Sequence, residues 1–215
     1  MKFDFNVFEF AGLIAPGSVV LLALTLLHPQ LLRAAEPEFL IATAILTAYI
    51  FGHLVGAIGN ILEKGFRLLG IARLGSIRYD EWIARGYFSI DQKDRLDTLV
   101  MDNLHGSSLK ECKPAQLKTL EKQMYLTACA GGHIQRLDTF NSLYNLSRGL
   151  VVSFVIAFVM TLIVGRHDAA VFCAVAALLT VYRMRKFRDI YSRELVQQFL
   201  FLGDRPTESK SAAGN

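Results

Sequence analysis

The sequence is poor in charged residues for its length. Charged side chains make up 20% of its 215 residues, whereas 53% of the residues are hydrophobic. A soluble domain usually carries about 25% charged residues, and here the apolar excess is concentrated in a few blocks. The composition therefore favours a membrane protein over a soluble domain.

Residue patterns for catalysis and metal binding are also missing. The three cysteines, Cys112, Cys129 and Cys173, are too scattered for a disulfide framework, which favours reduced thiols. We find no glycine-rich phosphate loop, no HExxH and no GxSxG. His105 and His133 could join Cys112 and Cys129 on zinc, but their spacing is not that of a zinc finger. The sequence thus predicts no enzyme, no metal site and no cofactor.

Four apolar blocks predict an all-α protein with four transmembrane helices in two hairpins. A helix needs about 20 apolar residues to cross the hydrocarbon core, and the last two blocks are shorter than that. Arginines flanking the third block can reach the interface and compensate for its length. The predicted spans are 8–27 and 39–62 in the first hairpin (1–62), and 149–165 and 168–184 in the second (149–184).

The segment between the hairpins, residues 63–148, is predicted to form a helical domain. Ser89 to Gln92 has the pattern of a capping box at a helix start. Pro114 should open a second helix, and Gly131-Gly132 should end it. A third helix is expected to begin near Ile134 and to continue into the third span.

The distribution of lysine and arginine predicts the orientation. Thirteen of these residues lie between 61 and 148 and seven between 183 and 215. The basic side of a membrane protein faces the cytoplasm. We therefore expect a bacterial inner-membrane protein with both termini in the cytoplasm, a basic helix over 185–202 and a disordered tail over 203–215.

The second predicted span has small or polar residues at every fourth position, which we call the small-residue stripe. Small side chains let helix backbones approach closely. The stripe predicts either an interface between subunits of a homo-oligomer or ordinary packing inside the four-helix bundle. Its members are Ala44, Ala48, Gly52, Gly56 and Asn60.

Three polar residues of the same span, Tyr49, His53 and Asn60, lie within roughly 40° of one another at about 100° per residue, and we call them the polar line. Ionisable groups at membrane depth often mark ion or proton pathways, and a histidine can sense pH. The alternative is a structural role in which His53 bonds a hydroxyl of a neighbouring helix. The candidate partners are Ser153, Thr161 and Thr180.

Pro16-Gly17 lies in the middle of the first span. Proline removes a backbone hydrogen bond and usually kinks a helix. The pair is interpreted either as a hinge for gating or as a fixed bend.

Basic residues cluster where the second and fourth spans end. They suit an inner leaflet of anionic lipid, or a groove for an anionic nucleotide or RNA in which Trp82, Tyr87 and Phe88 stack on bases. The basic residues are Lys64, Arg67, Arg73, Arg78, Arg183, Arg185, Lys186 and Arg188.

Five short motifs are distributed along the chain. They are Phe3-Asp4, Pro16-Gly17, Tyr49 to His53, Tyr144 to Arg148, and Arg183 to Arg188. This set of motifs resembles that of small multi-spanning accessory and effector proteins of prokaryotic antiviral systems, which include membrane partners of RNA-targeting CRISPR effectors and membrane effectors of cyclic-nucleotide systems. The resemblance implies an oligomer that compromises the inner membrane when phage infection is sensed.

Two functions therefore remain open at this point. The first is an oligomeric effector that permeabilises the bilayer. The second is a membrane-anchored scaffold or regulatory subunit whose cytoplasmic domain docks a soluble partner, such as another defence protein.

Overall fold

The computed structural model of the chain describes residues 7–30, 37–68, 85–103, 114–132 and 134–203. Within these ranges every regular element is an α-helix and no strand occurs, which confirms the predicted all-α class. The six helices found there are α1 (Val7–Leu27), α2 (Pro37–Leu68), α3 (Ile90–Asn103), α4 (Pro114–Ala130), α5 (Ile134–Ile163) and α6 (His167–Gly203).

Within the described residues, three helices are long and apolar enough to cross a membrane. They are α2 over Leu40–Leu62, α5 over Ile134–Ile163 and α6 over His167–Leu202. For α1, whose side chains are described from Gly12 onward, the apolar stretch Gly12–Leu27 is shorter than the about 20 residues that a span requires. The described residues therefore support three of the four predicted spans and do not support the one over 8–27.

The turns fall where glycine punctuates the sequence. Gly165 has φ of 75° and Gly132 has the same value, a conformation that glycine adopts at little steric cost. Gly165 forms the tight α5–α6 turn, where the sequence predicts the second hairpin to reverse between residues 165 and 168, and Gly132 follows the end of α4. The predicted run of one helix from Ile134 into the apolar block is also confirmed, because α5 is continuous.

The chain divides into two compact units. The first unit consists of Met1–Arg73 and Thr139–Arg188, and the second of Leu74–Asp138 and Asp189–Asn215. Helix α5 has 30 residues and α6 has 37, and a boundary between the units falls inside each of them. Each helix therefore contributes residues to both units. Residues 185–202 are thus the end of a longer helix.

In the first unit, α1 contacts all three of the other helices. One apolar cluster joins Val20 to α2 and α5, and a second joins Ala23 to α5 and α6. The shortest apolar helix is therefore central to the packing of this unit. The buried members of the two clusters are Val20, Val55 and Val152, and Ala23, Ala157 and Cys173.

The second unit has an apolar core of its own, supplied by α3, α4, the start of α5 and the end of α6. At the start of α3, the Gln92 amide donates to the Ser89 hydroxyl at 3.2 Å, and the Ser89 amide donates to Gln92 Oε1 at 3.0 Å. This is the predicted capping box. The fully buried apolar side chains are Leu96, Val100, Leu120, Met124, Ala128, Leu137, Leu195 and Val196.

A polar contact joins α4 to α5 within the second unit. The Tyr125 hydroxyl donates to Asp138 Oδ1 at 3.0 Å. Burial, followed by this hydrogen bond to the carboxylate, raises the pKa of Tyr125 well above its ordinary value. Tyr125 thus holds its proton at any physiological pH.

Candidate functional site at the α1–α2 crossing and the outer face of α2

The backbones of α1 and α2 meet at Gly17 and Gly52. A Cβ atom built on Gly17 would collide with the carbonyl oxygen of Ala48, and one built on Gly52 with the carbonyl oxygen of Leu13. Both obstacles are backbone atoms, which cannot rotate away as a side chain would. The crossing therefore requires glycine at both positions, in agreement with small-residue helix packing.

Helix α5 closes the same crossing from another side. A Cβ atom on Gly149 would lie 2.8 Å from Cγ of Pro16, so the proline ring occupies the space above this glycine. The Ser153 hydroxyl lies 2.8 Å from the Pro16 carbonyl oxygen and 3.1 Å from that of Gly149, and it can donate to either. Pro16 and Ser153 are both fully buried. This enclosure favours a fixed bend over a hinge.

The small-residue stripe has two parts. Ala48 and Gly52 are buried against α1, and Ala44 is half-buried. By contrast, a Cβ atom on Gly56 would meet nothing within 4 Å, and Asn60 is exposed. Ala48 and Gly52 thus form an inner part of the stripe, which packs within the chain. Gly56 and Asn60 form an outer part, which leaves an open surface.

The polar line lies on the outer side of α2. His53 and Asn60 are exposed and Tyr49 is half-buried. The Tyr49 and His53 rings meet edge to face, with centroids 4.6 Å apart and planes at 83°. His53 stands near the middle of Leu40–Leu62, so an inserted α2 would hold it at membrane depth.

The hydroxyl groups expected to bond His53 donate to main-chain carbonyl groups instead. Thr161 donates to Ala157 O at 2.9 Å, Thr180 donates to Ala176 O at 2.7 Å, and Ser153 lies at the Pro16 crossing. None of the hydrogen bonds found among the described residues joins one of these three hydroxyl groups to His53. Ser153 instead lies within hydrogen-bonding distance of Pro16, the residue for which the sequence predicts a bend or hinge in α1.

The basic residues are only partly within the described regions. Arg183, Arg185 and Lys186 are exposed, and Arg188 is half-buried. Arg183 stacks on Phe187, with its guanidinium carbon 5.3 Å from the ring centroid. The side chains of Lys64 and Arg67, together with residues Arg73 and Arg78, lie outside the described part of the chain.

The aromatic residues proposed to stack on bases do not form one surface. Phe88 is buried, and so its ring is withheld from a ligand. The exposed ring of Tyr87 is covered on one side by Arg193, whose guanidinium carbon lies 4.1 Å from its centroid. Trp82 lies outside the described residues.

Within the described residues there is no group of three or more His, Cys, Asp or Glu side chains placed to hold a metal ion. Of the four zinc candidates considered, Cys129 is half-buried, and the other three, His105, Cys112 and His133, lie outside the described ranges.

Two features of the site were missed at the sequence level. Gly149 and Ser153 are four residues apart on α5 and repeat the small-residue spacing found on α2. This spacing is visible in the sequence, but it does not identify Pro16 as its partner. Arg148 and Arg188 also converge on the buried ring of Tyr144.

No family model, curated protein or solved structure matches this chain.

Proposed function

We propose that this chain is an integral membrane protein that self-associates through the outer face of α2 and perturbs the bilayer as an effector. The observation that carries the proposal is the exposure of His53 and Asn60 on a helix of membrane-spanning length. The resemblance to antiviral membrane effectors supplies the biological setting, with the inner membrane as the site of action.

The physical argument concerns the cost of polar groups in lipid. An imidazole or amide facing hydrocarbon loses its hydrogen bonds to water, and such groups usually turn to a bundle interior, a water-filled cavity or another helix. In a single copy, His53 faces outward on α2. A second copy docked on the same face would give these groups partners and remove them from lipid.

Gly56 adds a steric argument at the same face. It is half-buried with open space where its side chain would be, so another backbone can approach closely there. Interhelical hydrogen bonds in membranes contribute about 0.6 kcal/mol each on average. Close packing at Gly56 would thus supply much of the association, and the polar line would fix the register.

Disulfide crosslinking tests the interface directly. In a chain whose three cysteines are changed to alanine, His53→Cys should form dimers between copies in native membranes under mild oxidation. The matched control is Val175→Cys, an exposed position on α6. Equal crosslinking at both positions, or none at position 53, would contradict the interface.

Membrane potential tests the effector role. Expression of the wild type should depolarise bacterial cells, whereas Gly56→Leu at equal abundance should not, because the added side chain blocks the approach of a second copy. Gly12→Leu is the control, since Gly12 also has nothing within 4 Å of its built Cβ but lies on α1. If the Gly56→Leu variant still depolarised the cells, membrane leakage would not depend on this interface, and the proposed link between the two would be wrong.

A scaffold or regulatory subunit is the second candidate, and exposed apolar side chains on the second unit favour it. Ile90 is 72% exposed and Leu126 is 55% exposed, values that suit a docking surface for a soluble defence protein. Under this function, Ile90→Asp in the full chain would abolish co-purification of the partner from the native host. His53→Cys would leave that co-purification intact.

A further inference from the structure

The α5–α6 hairpin has only a short stretch without charged residues. On α5 this stretch covers residues 149–163, and on α6 it covers residues 169–182. At 1.5 Å per residue, the two stretches are about 22 Å and about 21 Å long. The hydrocarbon core of a bilayer is about 30 Å thick. Neither helix can therefore cross it on uncharged residues alone.

The short stretch is the part of the hairpin that lipid would contact. Large apolar side chains on both helices point outward along it, so neighbouring helices do not cover it. Those exposed are Val155, Val159 and Leu162 on α5, and Val171, Phe172, Val175, Leu178 and Leu179 on α6.

Helix α2 presents a longer apolar surface. Its residues 39–62 include no Lys, Arg, Asp or Glu. Exposed apolar side chains follow one another from Ile41 to Ile61, a length of about 30 Å at the rise of an α-helix. This length equals the thickness of the hydrocarbon core. A bilayer of uniform thickness can thus match α2 or the hairpin, but not both.

Two arginines extend the hairpin at the end away from its turn. The guanidinium carbon of Arg148 lies 5.9 Å from the ring centroid of Tyr144, one turn before it on α5. That of Arg183 lies 5.3 Å from the ring centroid of Phe187, one turn after it on α6. Both groups are therefore displaced away from the uncharged stretch, as long basic side chains at an interface are. One turn adds about 5.4 Å, which brings the length to about 27 Å.

The turn itself has no comparable reach. Arg166 and Asp168 are exposed there, and Nε of Arg166 lies 3.5 Å from Oδ1 of Asp168. The ion pair keeps both charges at the turn, and hydrocarbon would deprive both of hydration. In an inserted hairpin the turn therefore stays at the level of water and headgroups. A helix tilt of about 20°, the average for spanning helices, shortens the hairpin further.

We propose that the α5–α6 hairpin binds a locally thinned bilayer, in which the hydrocarbon beside α5 and α6 is about 3–9 Å thinner than beside α2. Headgroups of the leaflet at the turn are drawn inward to the Arg166–Asp168 pair. The bilayer is thus perturbed without a pore. This inference rests on the membrane insertion contained in the proposed function and is independent of self-association through α2.

Bilayer thickness tests the inference. The full chain with Cys112→Ala and Cys129→Ala is placed in phosphatidylcholine vesicles with monounsaturated chains of about 14 to about 22 carbons. The remaining thiol, Cys173, is buried in the first unit, so its labelling by a membrane-permeant maleimide on heating reports unfolding there. We expect the labelling midpoint to be highest in bilayers thinner than about 30 Å, and to be lower by roughly 5 °C in the longest chains.

Two double variants of the turn provide a matched comparison. Arg166→Leu with Asp168→Leu removes both charges, so the turn no longer has to reach water, and the highest midpoint should move to thicker bilayers. Arg166→Lys with Asp168→Glu keeps both charges and should keep the wild-type dependence on thickness. A shift of equal size in both double variants would contradict the role of the charged turn.

The wild-type profile decides the inference even if the leucine variant does not fold. A midpoint that is independent of thickness, or highest in bilayers of about 30 Å or more, would overturn it. Extraction with alkaline carbonate separates this failure from failure of the proposed function. A chain that resists extraction but shows no thickness dependence contradicts the thinning alone, whereas a chain extracted from vesicles of every thickness is not inserted and contradicts both.

Discussion

At the scale of single residues, the serine at position 153 has a role that its neighbour at 147 lacks. Both are buried on α5, but the Ser147 hydroxyl donates within its own helix, to Leu143 O at 2.8 Å, whereas Ser153 reaches Pro16 O on α1. One hydroxyl thus ties two helices together, and the other serves only the helix that carries it.

This difference predicts the outcome of two identical substitutions. Ser153→Ala should lower the free energy of unfolding by about 0.6 kcal/mol, and by at most about 1.7 kcal/mol, the range for interhelical hydrogen bonds in membrane proteins. Ser147→Ala should cost less, because its hydroxyl makes no bond to another helix in the described structure. Unfolding in mixed micelles with increasing SDS measures both, and equal costs would contradict the assignment.

Tyr125 predicts a dependence on pH. Its pKa is raised by burial and by the bond to Asp138, so above about pH 10 an unfolded chain loses this proton while the folded chain keeps it. The unfolded state then binds fewer protons, and the free energy of unfolding falls as pH rises past 10. Below pH 10 both states are protonated and this group contributes no pH dependence.

The measurement is denaturation of the full chain between pH 8 and pH 11. Tyr125→Phe should flatten the decline above pH 10, and it should cost about 1 kcal/mol at neutral pH through the lost hydrogen bond. An identical slope in the wild type and the variant would show that Tyr125 is not the group responsible.

At the scale of elements, the contact of α1 with α2 depends on two missing side chains. Gly52→Ala should destabilise the chain by about 1–3 kcal/mol, because its Cβ meets the Leu13 carbonyl group and the backbones must move apart. Gly56→Ala is the matched substitution on the same helix and meets nothing within 4 Å. It should be neutral or stabilising by about 0.5–1 kcal/mol, the helix preference of alanine over glycine.

Thermal unfolding in detergent compares the two alanine variants. Similar losses at positions 52 and 56 would place both glycines in an interface of the same kind, and the division of the small-residue stripe into an inner and an outer part would be wrong.

Local signals predict helix ends well here, and they predict partners poorly. The capping box at Ser89, the start at Pro114 and the turn at Gly165 depend on residues close in sequence, and the structure contains all three. The partner of Ser153 is 137 residues away, so no local pattern specifies it. The face of α2 that turns outward is likewise set by the packing of α1 and α5, which periodicity alone does not reveal.

At the scale of the whole molecule, the number of crossings determines where the termini lie. Three crossings by α2, α5 and α6 would place the two termini on opposite sides, whereas a further crossing by α1 would place them together. The basic residues at 183–215 favour a cytoplasmic C-terminus in either arrangement.

Reporter fusions test this expectation. A green fluorescent protein fused after Asn215 should fluoresce, and alkaline phosphatase at the same position should be inactive, because the first folds in the cytoplasm and the second in the periplasm. Active phosphatase there would reverse the orientation. The same pair of reporters at the N-terminus measures whether α1 crosses.

The bond between Ser153 and Pro16 also sets an order of events during synthesis. Ribosomes add about 5–20 residues per second, so the 137 residues that separate the two positions take roughly 7–27 s to appear. In the later part of that interval α1 and α2 have both been synthesised, but α5, which covers Pro16, has not. The contact between α1 and α2 can therefore form before the helix that closes their crossing exists, and α1 acquires its full set of neighbours only after α5 and α6 have been made.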